Sequence, residues 1–387
     1  YFFALLPIVV LIGLLAYNVF LYGDNSLGGA NQLALLFAAA TATIVGIKFG
    51  AKWKNILDGI SKNISSTTPA IIILLLIGAL AGTWLLSGIV PAMIYYGLQI
   101  LSPEIFLFAC CIICAIVSLA TGSSWSTIAT IGIALLGIGQ ALGLSTGMVG
   151  GAIISGAYFG DKMSPLSDTT NLAPAMVGTD LFTHIRYMMH TTIPSFAITL
   201  IIFFTIGFTF DTSTSENIDE LLQAINNSFT ISAWLFLVPV LVIVLIIKKT
   251  PAIPALLAGT LLGGVFAIIF QPELIKQIAN TDTLSFSAAY KTVINAMGSD
   301  ISITTENEMI NNLLSTSGMA GMLNTIWLII CAMVFSGAME AAGLLRRVAE
   351  PIVKYAESTG SLIATTAGTC VFFNITASDQ YLSIVVP

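Results

Sequence analysis

Long uncharged apolar runs constrain this chain more than any other feature. Residues 1–20, 69–86, 195–210 and 234–247 each approach the ~20 residues that carry a helix across the hydrocarbon core of a bilayer. A soluble domain would carry about 25% charged residues, whereas this chain is 57% hydrophobic and 8% charged. The expected fold class is an all-α polytopic membrane protein, with spans near 5–22, 33–47, 69–88, 188–209, 231–247, 252–270 and 321–341. The first run has no basic segment before it and no small-residue cleavage site after it, so it reads as a span rather than a signal peptide. The sequence starts at Tyr1 without a methionine and stops inside an apolar run at Pro387, from which both natural ends are expected to be missing.

Charge sets the orientation. Lys48, Lys52, Lys54 and Lys62 crowd one connection, Lys248 and Lys249 another, and Arg346, Arg347 and Lys354 a third, with His184 and Arg186 marking a weaker fourth. Asp211, Glu216, Asp219 and Glu220 occupy one opposed connection, and Asp300, Glu306 and Glu308 another. Placing the basic connections in the cytoplasm satisfies every crossing. The net charge of −6 adds little, and basic residues too few and scattered for a nucleic-acid face exclude that partner. Cys110, Cys111, Cys114, Cys331 and Cys370 sit in apolar segments and read as core residues; no cofactor is expected.

The two halves resemble each other. Ser87-Gly88 matches Ala342-Gly343, and Thr121-Gly-Ser-Ser124 matches Thr376-Ala-Ser-Asp379, both 255 residues on. Trp53-Lys54-Asn-Ile-Leu-Asp58 matches Tyr290-Lys291-Thr-Val-Ile-Asn295 at an offset of 237. Equivalent connections carry opposite charge and so fall on opposite sides, which is an inverted-topology repeat, the plan of many secondary transporters. Its halves are 1–228 and 229–387. The first holds a re-entrant hairpin over 104–145, a broken helix over 147–177 and a connecting helix over 188–209; the second ends after its hairpin tip. Two ordinary spans joined by a surface loop are the other reading of 104–145.

Polar breaks within apolar segments are tolerable at membrane depth only when buried in protein or lining water. Three such breaks stand out: 121–127, 160–171 and 374–380. Together they offer Thr121, Ser123, Ser124, Ser164, Ser167, Asp168, Thr169, Thr170, Asn171, Asn374, Thr376, Ser378 and Asp379, with Asp161 beside the second break. These are hard oxygen donors suited to sodium. Burial raises a carboxylate's proton affinity and a bound cation lowers it, so proton and sodium compete for one group. Asp168 and Asp379 are the first choices for shared sodium and proton binding, with Asp161 close behind. Plainer readings stand beside these. Asp161 and Lys162 can form an ion pair closing a helix end, and Ser167 or Asp168 can cap the next helix. Lys162 and Trp125 are expected to tune or wall the site, and Glu340 is either proton-linked or a residue at the inner boundary.

The string Gly156-Ala-Tyr-Phe-Gly-Asp-Lys-Met-Ser-Pro-Leu-Ser-Asp-Thr-Thr-Asn-Leu-Ala173 resembles the signature of the NhaC-type sodium/proton antiporters, within the larger ion-transporter superfamily. Gly122-Ser-Ser-Trp-Ser-Thr127 and Thr376-Ala-Ser-Asp-Gln-Tyr-Leu382 resemble that family's paired tips. The resemblance implies exchange of sodium for protons, a prokaryotic cell membrane, elevator-like movement of a hairpin-bearing domain, and a homodimer. It also implies ligation by Asp161, Ser164, Ser167, Asp168 and Thr169, with Asp379 opposite. Sodium-linked malate/lactate exchange, known in the same family, is the alternative; no arginine near the breaks is available to clamp a carboxylate.

Overall fold

The computed structural model describes residues 2–100, 102–165, 167–209, 215–248, 250–303, 311, 314–348 and 358–376. Of residues 24, 168, 172, 175–177, 215–221, 359 and 372–376 only the backbone is described. Ser378 and Asp379 therefore lie outside the described residues, as do Asp211, Lys249, Glu306, Glu308 and Lys354, while Asp168, Asn374 and Thr376 are known as backbone alone.

The described chain is helical nearly throughout. Eight helices are long and apolar enough to cross a membrane: Phe2–Tyr22, Ala30–Lys48, Thr68–Leu86, Pro103–Thr121, Ser124–Ala141, Leu181–Gly207, Ala252–Phe270 and Ala320–Ala341. A ninth is reached if Leu222–Ser228 and Ala233–Ile247, bent by 87° about a short break, count as one span. The all-α polytopic class is thus what the sequence forms. The two limbs of the 104–145 segment are 19 and 18 residues long, because the helices take in Pro103 and the polar Ser124–Thr127 turn. Length alone no longer separates a re-entrant hairpin from two full crossings. The lysine-rich connection is no loop either. Trp53–Ser66 is an amphipathic helix that turns Ile56 and Asn63 inward and leaves Lys54, Lys62 and Trp53 exposed.

Two compact units emerge, residues 1–72 with 323–387, and residues 73–322. They run across the 228/229 boundary of the expected halves, so each unit takes helices from both sides of it. In the first unit Ala38, Ala42, Val45, Ile56, Phe335, Ala338 and Met339 form the core. There Trp53–Ser66 crosses Leu323–Ala341 backbone to backbone. A Cβ added at Gly337 would fall 2.6 Å from Ile60 Cα, and one at Gly59 would fall 2.6 Å from Ala341 Cβ. Small residues at such crossings let helices gain close van der Waals contact, which drives association where lipid removes the hydrophobic effect.

The second unit is built around Leu80, Trp84, Phe106, Leu107, Leu235 and Leu256, all fully buried. A Cβ at Gly82 would overlap the carbonyl oxygen of Ala296, so Thr68–Leu86 and Phe286–Gly298 meet as closely as the pair in the first unit. Pro103–Thr121 and Thr146–Met163 pack through a Gly156-xxx-Gly160 face, where added Cβ atoms would overlap the carbonyls of Cys111 and Ala115. This close pairing holds the two polar breaks of the unit against each other.

Helix ends follow the register of the sequence matches. Thr68–Leu86 and Leu323–Ala341 are both 19-residue helices, and each is followed by a left-handed glycine, Gly88 (φ 80°) and Gly343 (φ 68°). Each member of these pairs stands 255 residues from its mate.

Candidate functional site

The site in the second unit starts from two interruptions. Pro103–Thr121 ends at Gly122, which adopts the left-handed conformation (φ 68°) and donates its N–H to Ser118 O at 2.8 Å. The chain re-enters helix at once, because the Ser123 hydroxyl caps the new turn by accepting from Ser126 N–H at 3.2 Å. Five residues of π-helix, Ile128–Gly132, follow this turn. Such wide turns are rare and recur at functional sites. The second interruption separates Thr146–Met163 from Asp168–Val177. Ser167 caps the latter helix, accepting from Thr170 N–H at 3.4 Å, and Asp168 is its first residue.

Side chains of one break are bonded to the other. The Ser124 hydroxyl donates to Asp161 Oδ2 at 2.9 Å. Ser118 Oγ donates to Ala157 O at 2.5 Å, and Ser164 Oγ donates to Leu119 O at 2.9 Å. Thr121 Oγ1 lies 3.4 Å from Thr127 Oγ1. Thr121, Ser124, Ser126, Thr127, Ser164, Ser167 and Thr170 are all buried, whereas the Asp161 side chain is half-buried.

Several expected ligands also carry backbone duties. Thr170 Oγ1 donates to the carbonyls of Asp161 and Lys162 (3.2 and 3.1 Å), satisfying the end of the broken helix. Asn171 donates its amide to Pro165 O and Ser167 O, at 2.9 and 2.6 Å. Ser167 Oγ and Thr169 Oγ1 share a hydrogen bond of 3.0 Å. A hydroxyl that donates still has lone pairs for a cation, but the carbonyls of Asp161 and Lys162 are partly committed. Among the described side chains, the carboxylate bonded across the junction is Asp161, held by Ser124. Ser118, Ser126, Thr127 and Thr130 belong to the same buried hydroxyl cluster and were absent from the sequence candidates. Their signal was the run of Ser and Thr at 118, 121, 123, 124, 126, 127 and 130.

Of the remaining candidates, Trp125 is 39% exposed beside the tip and Lys162 is exposed next to Asp161. Glu340 belongs to the other unit. Asn374 and Thr376 are described as backbone alone, at the end of Thr359–Thr376, and Ser378 and Asp379 lie outside the described residues.

Comparison with known proteins adds a separate line of argument. The model of the Na+/H+ antiporter family matches residues 156–387, beginning at the first glycine of the signature string. The malate-2H+/Na+-lactate antiporter of Bacillus subtilis is 38% identical over 357 residues, 92% of this chain and 73% of that protein. The Na+/H+ antiporter NhaC of Alkalihalophilus pseudofirmus is 38% identical over 356 residues, 92% of this chain and 74% of that protein. The arginine/ornithine antiporter ArcD of Halobacterium salinarum is 34% identical over 389 residues, 99% of this chain and 76% of that protein.

Proposed function

The chain belongs to the Na+/H+ antiporter family, and on that premise we propose that sodium and protons exchange at the junction of the 121–127 tip and the 161–171 break. It is a multi-pass protein of the cell membrane and a secondary active transporter that exchanges sodium for protons. The observation that carries the site is the 2.9 Å bond from Ser124 to Asp161, which ties one helix break to the carboxylate beside the other.

The chemistry follows from one carboxylate with two alternative occupants. With Asp161 ionised, the Ser124 hydroxyl donates to it, and the charged carboxylate is the form that takes sodium. With Asp161 protonated, the acid proton becomes the donor and the serine oxygen accepts. Hydroxyl oxygens of Thr121, Ser123, Ser164 and Ser167 complete a hard-oxygen set for the cation, and Asp168 adds a second acid on the helix that follows. Asp379 is assigned the corresponding role on the 374–380 tip. Because either ion displaces the other, alternating exposure of the site gives antiport. An inverted repeat, elevator-like movement and a homodimer are the architecture we propose for it; the matched helix ends and left-handed glycines at the 255-residue register support the repeat.

Relatives that carry malate with lactate, or arginine with ornithine, make organic exchange the second reading. A carboxylate substrate needs a cation to hold it, and at this site the nearby one among the described residues is Lys162, which is exposed. Flux in proteoliposomes decides between the two. Sodium-driven proton movement is expected without organic substrate, while strict dependence on malate, lactate or arginine would replace sodium/proton exchange with the second reading.

A further inference from the structure

The lysine-rich connection of the first unit presents three different faces. Ala30–Lys48 and Thr68–Leu86 are each long and apolar enough to cross a membrane, so residues 49–67 stay at one membrane surface. Two close approaches hold this connection level with the ends of spans, Gly46 against Ala342 and Gly59 against Ala341. Along Trp53–Ser66 the inward face is Ile56, Ile60 and Asn63, at helical spacing. With its amide nitrogen turned to the carboxylate, Asn63 donates to Glu340 Oε2 at 3.2 Å and accepts from Gly337 N–H at 3.0 Å. Next around the helix come Trp53 and Leu57, which are 56% and 46% exposed. The remaining face carries Lys54, Asp58 and Lys62, all exposed. Protein on one side, bare apolar surface on the next and charge on the third is the form of a helix lying in the headgroup layer.

The charge on this surface has no counter-charge within the protein. Lys48, Lys52, Lys54 and Lys62 are exposed, and against Asp58 they leave residues 48–62 at +3 in a chain of net charge −6. Asp58 stands four residues from both Lys54 and Lys62, the spacing of helix ion pairs, yet pairs with neither. Among the described residues none of the four lysines is ion-paired with a carboxylate. Lys48 lies 4.5 Å over the ring of Phe3, whose centroid is 5.6 Å from that of Phe49. Exposed Phe49 and Trp53 thus stand among the lysines. The matching helix of the other half separates the two ingredients. At the 237 offset Trp53 is matched by Tyr290, exposed as well, and Lys54 by Lys291. Lys48, Lys52 and Lys62 are matched by Ser285, Ala289 and Ser299, and Asp58 by Asn295. An exposed aromatic belongs to both helices, whereas the lysine cluster belongs to one.

We propose that Lys48, Lys52, Lys54 and Lys62, flanked by Phe49 and Trp53, dock the phosphates of anionic phospholipids in the cytoplasmic leaflet. The side follows from the positive-inside rule. A lysine suits this layer because its ammonium group reaches the phosphates while its carbon stem stays with apolar surface. A zwitterionic headgroup brings its own ammonium and leaves the +3 uncompensated, whereas an anionic one neutralises it. Near an anionic surface each lysine contributes about a fivefold preference. The proposal is independent of which substrates are exchanged.

The test uses the full chain in phosphatidylcholine bilayers containing a trace of spin-labelled phosphatidylglycerol or spin-labelled phosphatidylcholine. Electron paramagnetic resonance reads the fraction of each label immobilised by the protein. The wild type should prefer phosphatidylglycerol several-fold at low salt, and molar salt should shrink that preference. Changing all four lysines to glutamine should cut the preference about fivefold or more. An unchanged phosphatidylcholine fraction marks the variant as folded. Lys54→Gln with Lys62→Gln should cut it by less, and decides the matter where the fourfold variant fails to fold. Lys276→Gln with Lys291→Gln, in the second unit, should leave it unchanged. A wild type without preference, an unchanged preference in the lysine variants, or an equal fall in the control pair would overturn the proposal. Glycerol phosphate in solution, at matched ionic strength, should not compete. Full competition would make this a site for free phosphate and overturn the lipid assignment.

Discussion

Asp161 and Glu340 are both membrane-helix carboxylates held by a neutral donor, yet their surroundings differ in what they offer a cation. Asp161 stands beside a break, where two helix ends supply buried hydroxyls at Thr121, Ser124, Ser164, Ser167 and Thr170. Glu340 stands on an unbroken helix, where the backbone is committed to itself and, among the described residues, Asn63 and Ser336 are at hand. A sodium ion stripped of water needs several oxygens at once, and only the broken segment gathers them. The price of the break is met by the local caps, Ser123, Ser167 and Thr170, which satisfy the orphaned backbone groups.

That contrast can be broken most decisively at the carboxylates themselves. Asp161→Asn should reduce exchange by about 100-fold or more, since it removes the charge that both ions are proposed to share and the charged acceptor of the Ser124 hydrogen bond. Glu340→Gln should spare the maximal rate. Equal losses in both variants would erase the distinction. Folding comes next. Gly160→Leu would drive a side chain into the Ala115 carbonyl and Leu119 N–H, and should cost several kcal/mol and most of the membrane-inserted protein. The measurement is yield and thermal stability in detergent. Gly150→Leu, where a Cβ meets nothing within 4 Å, is the silent control. Ser124→Ala removes the donor to Asp161 and should weaken sodium affinity about tenfold. Unchanged sodium affinity would contradict the assignment. The smallest effect is expected from Thr170→Val, which frees the carbonyls of Asp161 and Lys162 and should lower stability by about 1 kcal/mol, visible as a few degrees in thermal unfolding.

Much of this was legible in the sequence for physical reasons. Spans announce themselves because lipid demands apolar length, and the breaks at 121–127 and 160–171 do so because polar residues there must have a purpose. Sequence could not say which hydroxyls were already engaged. The sequence offers Thr170 and Asn171 as ligands but cannot show that they also bond to the carbonyls of Asp161, Lys162, Pro165 and Ser167. Nor could it show that Trp53–Ser66 is a helix, since its 14 residues are too polar to read as a span and too lysine-rich to read as core. The partnership of Asn63 with Glu340 spans both halves of the chain and has no local signal at all.

The account stands or falls on Asp161 as the group that sodium and proton share. The direct test is proton movement into proteoliposomes driven by an imposed sodium gradient, with malate, lactate and arginine absent, for wild type and Asp161→Asn side by side. The expected result is robust sodium-dependent proton movement in the wild type and none above liposome background in the variant. Exchange persisting in Asp161→Asn at the wild-type rate and sodium dependence would contradict it.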